Sequence, residues 1–168
     1  TELEKQAAEV ETKAKAIDIF NNLSPEKKSD MLKIYGKAVQ NSSNEFVYTK
    51  LYEIVEGNPS DFIRQANMKP EEIKVRALVF DLEKTGILRR KGTAYLYNDQ
   101  QVGFDYDDTV SYLLAPTNQE LLVKLKSSLE MRTPGYSPKE EVIEETVEEV
   151  VVTEKPKAST KKRKVSKK

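Results

Sequence analysis

Apolar residues recur along this chain at more than one period, and the changes of period divide it. Leu3, Ala7, Val10, Ala14 and Ile17 alternate steps of four and three, and Phe20 extends them. That is the spacing of a helix with one apolar seam, so residues 1–23 are expected to form a helical arm. The seam suits two uses, packing on its own domain or a short coiled coil with another chain. Ser24-Pro25-Glu26 then signals a helix start, with a capping hydroxyl and a proline in the first turn. Met31, Leu32, Tyr35, Ala38 and Val39 supply its expected buried stripe. Asn44 is expected to cap a second helix with Val47, Leu51, Ile54 and Val55 inward, stopped by Gly57. Asn58-Pro59-Ser60 opens a short third helix holding Phe62, Ile63 and Ala66. Pro70-Glu71-Glu72 opens a longer one with Ile73, Ala77, Leu78, Phe80 and Leu82 apolar, closed by Gly86.

After Gly86 the texture changes. Ile87 to Lys91 reads as a strand, Gly92 as a turn and Thr93 to Tyr97 as a second strand. Asn98-Asp99 is a second hairpin turn, and Gln100 to Gly103 a third strand. Two helices follow, near Asp107–Leu114 and Asn118–Met131, the latter with Leu121, Leu122, Leu125 and Leu129 apolar. The pattern predicts a small α+β domain over residues 24–132.

Residues 133–168 have a different character. Thr133-Pro134-Gly135-Tyr136-Ser137-Pro138 is a linker by its turn formers. Residues 139–154 carry seven glutamates against one lysine, and residues 155–168 carry eight lysines and arginines and no acid. Such blocks cannot bury a core, so a disordered bipolar tail is expected.

Composition narrows the chemistry. The chain has 168 residues with no cysteine, histidine or tryptophan, and its 28 basic and 28 acidic residues cancel. The usual triads, a thiol nucleophile, disulfides and an ordinary zinc site are excluded. The apolar runs, Ala77–Phe80 among them, are too short for a membrane span. Asp105, Asp107 and Asp108 lack the later glutamate of a calcium loop, and Asp107 suits a helix N-terminus. No cofactor or metal is expected, and the chain reads as a non-enzyme at an intracellular address, cytoplasm or nucleoid, with a virion or nucleus as further options.

The order short helix, longer helix, glycine and basic ribbon is that of a winged helix, whose ribbon reaches phosphates beside a groove. Arg89, Arg90 and Lys91 stand directly before the Gly92 turn, with Lys84 just upstream. Cations at a hairpin tip suit phosphate oxygens, where each contact releases condensed counterions. The duller account is a charged edge that discourages sheet-to-sheet pairing. Duplex-DNA contact is thus expected from Lys84, Arg89, Arg90 and Lys91, with Lys74 and Arg76 in support. The tail cations Lys161, Lys162, Arg163 and Lys164 add either sequence-independent DNA contact or an import signal. Tyr95 and Tyr97 share one face of a strand, which points to packing under a helix rather than to stacking on bases.

The run Gly92-Thr93-Ala94-Tyr95-Leu96-Tyr97-Asn98-Asp99-Gln100-Gln101-Val102-Gly103 resembles the C-terminal domain of RecA recombinases. That pattern is a glycine, a Tyr-x-Tyr strand, a polar turn and then Ile/Val-Gly. The similarity continues through Tyr112-Leu113, Pro116 and the helix after Asn118, and upstream through Asp81 to Gly86. It covers residues 76–129. The ATPase core is missing, since no Gly-x-x-x-x-Gly-Lys-Ser/Thr loop occurs. The resemblance therefore implies only an accessory role, gathering duplex DNA through basic residues. Asp105 replaces the family's second glycine, and Asp107 and Asp108 follow, which shifts the expected contact to Arg89–Lys91. The stretch from Gly103 to Leu113 also resembles small proteins of tailed phages. The competing expectation is a structural or assembly adaptor with no nucleic-acid role, using the arm to bind a copy of itself or another protein.

Overall fold

Side-chain caps set most helix starts. The computed structural model describes residues 1–133, so the expected tail, with Lys161 to Lys164, lies outside the described residues. Helix α1 (Glu2–Asn22) leads to α2 (Pro25–Ile34), where Ser24 Oγ accepts from the Lys27 backbone N–H at 3.2 Å. Helix α3 (Asn44–Gly57) is capped by Ser43, one residue before the expected Asn44, through a 3.2 Å bond from the Phe46 N–H. Asn58 ends α3 and caps α4 (Pro59–Ala66), its Oδ1 accepting from the Asp61 N–H at 3.1 Å. These four helices enclose one core around Phe20, Leu32, Leu51 and Phe62, all fully buried.

Two expectations about this half are corrected. The α2 stripe was expected to run on to Ala38 and Val39, but the helix stops at Ile34 and Ala38 is exposed. The cause is Gly36, at φ +76°, where the Gly36 and Lys37 N–H groups bond back to the Lys33 and Leu32 carbonyls. The expected arm seam also divides. Ile17 and Phe20 pack into the core beside Ala16, whereas Leu3, Ala7, Val10 and Ala14 are exposed.

Helix α5 (Pro70–Lys84) packs against α2 and begins the second core. A Lys33–Asp81 ion pair of 2.6 Å, mostly shielded from solvent, joins the two helices. Gly86, at φ +75°, turns the chain out of α5 as its sequence suggests. Ile87 and Leu88, expected in the first strand, instead enter the core, so β1 is only Arg89–Lys91. Strands β2 (Ala94–Tyr97) and β3 (Gln100–Gly103) complete an antiparallel sheet in the order β1-β2-β3. Gly92 opens the first turn at φ +64°; Asn98 and Asp99, at φ 49° and 63°, form the second. Two-residue turns of these hands match the twist of the flanking strands. Helix α6 (Tyr106–Leu114), a single 3-10 turn (Pro116–Asn118) and α7 (Gln119–Arg132) close the second core over Leu82, Leu88, Tyr95, Leu113 and Leu125. The described residues thus form a small helix-rich α+β fold. None of its helices is long and apolar enough to cross a membrane.

Candidate nucleic-acid interface

Strand register decides which ribbon cations face outward. Arg89 pairs with Leu96, Arg90 with Tyr95 and Lys91 with Ala94. Paired residues share a face, so Arg90 lies on the side of buried Tyr95, while Arg89 and Lys91 lie on the other. The Arg90 guanidinium carbon sits 5.4 Å from the Tyr95 ring centre, and its Nη1 is 3.7 Å from Glu83 Oε1. The Tyr95 hydroxyl donates to the same Glu83 carboxylate at 3.3 Å. Burial, and then the Glu83 charge, push the Tyr95 hydroxyl above its ordinary pKa. Glu83 therefore holds one cation of the ribbon against the body of the protein.

Arg89 and Lys91 are exposed, and among the described residues their side chains form no ion pair or hydrogen bond. Lys84, in the last turn of α5, is also exposed; its Nζ lies 5.4 Å from the Phe80 ring centre. Lys84 ends α5 on the side of Tyr95 and Tyr106, the face that Arg90 shares, while Arg89 and Lys91 lie on the opposite face of the ribbon.

The other two expected cations lie elsewhere. Arg76 is committed inside the fold: its side chain is 16% exposed, and it bonds Glu72 at 3.1 Å and Asp107 at 2.8 Å. It also stacks 5.4 Å from the Tyr106 ring centre, and the Tyr106 hydroxyl donates to the Arg76 carbonyl at 2.7 Å. Burial works against the Arg76 charge, but the bonds to Asp107 and Glu72 outweigh it and hold the guanidinium above its ordinary pKa. Lys74 lines a cavity of about 90 Å³ with Asp30, Met68 and Ile73. Burial raises the Asp30 carboxyl to about 6, opposed by the charges of Lys33 and Lys74.

The acidic run after the ribbon has local roles. Asp105 Oδ1 accepts from the Asp108 N–H, which caps α6, and Asp108 Oδ2 accepts from the N–H of Phe104, the residue before the cap, both at 2.8 Å. The cap is therefore Asp105, and Asp107 sits in the first turn, where it pairs with Arg76. No group of three or more acids among the described residues is placed to hold a metal. Tyr95 lies 2% exposed with its ring centre 6.4 Å from that of Tyr106, so its ring cannot stack on a base.

One cation was missed in the sequence. Arg132, at the end of α7, donates from Nη1 to the Thr85 carbonyl at 2.9 Å, at the α5–β1 corner. No family model, curated protein or solved structure matches this chain.

Proposed function

We propose that the domain is a non-catalytic accessory factor that binds duplex DNA, largely without regard to sequence, through the β1–β2 hairpin. In this reading the ribbon works as the wing of a winged-helix module, as the likeness to the RecA C-terminal domain suggests. The supporting observation is the outward face of β1, where Arg89 and Lys91 carry no acid partner among the described residues. Unpaired cations on a short, doubly turned hairpin need no desolvation of an existing ion pair before they meet phosphate. On the other face of the hairpin Lys84 and Arg90, the latter by exchanging Glu83 for phosphate, add further cations. Arg76, held by Glu72 and Asp107, is left out of the contact set.

Electrophoretic mobility shift on full-length protein, a deletion after Thr133 and an Arg89/Arg90/Lys91→Ala triple variant tests the proposal. Four contacts, from Lys84, Arg89, Arg90 and Lys91, contribute about −3.6 to the log–log salt slope of the tail-less form. The triple variant should lose most of it. Tail-less protein with no measurable duplex affinity would sink the proposal.

A second reading has its own observation. Leu3 and Val10 are 78% and 70% exposed on the first half of α1, an apolar stripe suited to an assembly adaptor. A defined oligomer in sizing experiments, with no DNA shift by any form, would favour it.

A further inference from the structure

We propose that Arg132 belongs to the same polyanion-binding surface, as a cation from α7 that both holds the base of the ribbon and contacts phosphate. The inference rests on the duplex-binding reading above.

Spacing puts Arg132 at this corner. Leu122, Leu125 and Leu129 are buried at steps of three and four along α7, and Arg132 takes the next position on that face. There the helix has run past the core, so the inward position opens onto solvent and Arg132 is exposed. What it meets is the C-terminus of α5. Thr85 follows the last turn, and its carbonyl accepts from Arg132 Nη1 at 2.9 Å, across 47 residues of sequence. Carbonyls at a helix end lack intrahelical partners and carry partial negative charge, so a guanidinium is stabilised there. A Cβ added to Gly86 would lie 3.9 Å from the same Nη1, which places the guanidinium over the residue that turns the chain toward β1. Lys84 precedes that turn, and Arg89 follows it three residues later.

Capping α5 uses one of the five N–H donors of a guanidinium. Among the described residues Arg132 has no acid partner, so its remaining donors are free for an incoming anion. A planar fork suits that double task, one arm on a carbonyl and the other on a phosphate. A lysine can supply the charge but lacks the rigid fork. Arg132 therefore ties phosphate binding to the fixed angle between α5 and the ribbon.

The experiment measures duplex affinity by fluorescence anisotropy across about 50 to 200 mM salt, with full-length wild type, Arg132→Gln, Arg132→Lys and the ribbon triple variant. Arg132→Gln should flatten the salt slope by about 0.9 and weaken binding about tenfold at 0.1 M salt. Arg132→Lys should keep the slope and bind less tightly than wild type. A purely structural role would lower the unfolding temperature of Arg132→Gln and leave its slope at the wild-type value, and that result overturns the inference. Phenylglyoxal footprinting of the wild type gives a readout that needs no variant. DNA should protect Arg132 together with Arg89; protection of Arg89 alone also overturns it. Should the triple variant bind with the wild-type slope, the ribbon reading falls and this inference falls with it.

Discussion

The two edges of the small sheet are built in opposite ways. At the β3 side the chain is clamped. A Cβ added to Gly103 would lie 2.1 Å from Thr109 Oγ1 and 2.6 Å from the Thr109 backbone nitrogen. The cap formed by Asp105 and Asp108 follows at once, and the Arg76–Asp107 pair ties the start of α6 to α5. At the β1 side nothing comes within 4 Å of a Cβ built on Gly92, and Arg89 and Lys91 point away from the core. An aimed projection needs both properties. One edge is fixed by backbone contact and paired charge, and the other leaves Arg89 and Lys91 without an acid partner among the described residues. Arg76 is thus held by Glu72 and Asp107, whereas Arg89 has no acid partner among the described residues.

That contrast can be broken at either edge. Gly103→Ala should have the largest effect, because the added methyl meets backbone as well as a hydroxyl. A loss of more than about 3 kcal/mol is expected in urea unfolding; a near-neutral result would mean that the clamp is loose. Arg76→Ala should cost about 2 kcal/mol by the same measurement, since it removes the pairs to Glu72 and Asp107, leaves half-buried Glu72 without its cation and uncovers the Tyr106 ring. The same variant should keep the wild-type salt slope for DNA, which separates it from the ribbon cations. Gly92→Ala should cost least, about 1 kcal/mol, from the left-handed backbone alone. A much larger loss would show that the tip is as crowded as the other edge.

Much of the fold was legible in the sequence because its punctuation is local. Ser24, Asn58, Gly86 and the Asn98-Asp99 turn act on their immediate neighbours, and their residue types suffice to place them. Most departures arise where a distant partner decides, and one is local. Gly36 ends α2 early because its backbone closes a left-handed cap, although the apolar pattern continues to Val39. Ile87 and Leu88 read as strand but fill the second core, which α5, α6 and α7 also line. The candidate site was half legible. Spacing shows that Arg89, Arg90 and Lys91 cluster, but not that register turns Arg90 toward Glu83. Arg76 looks as available as Lys84 until Asp107, from the far side of the ribbon, is seen against it. Arg132 left a signal, a charge in step with Leu122, Leu125 and Leu129, whose target at Thr85 only the fold supplies.

The first half of α1 has a consequence for proteolysis and exchange. Residues 1–11 touch neither core, so their helicity draws on local propensity and capping alone. Amide protons there should exchange well before those around Phe20, and a protease cut in that stretch would leave the whole hydrophobic interior standing.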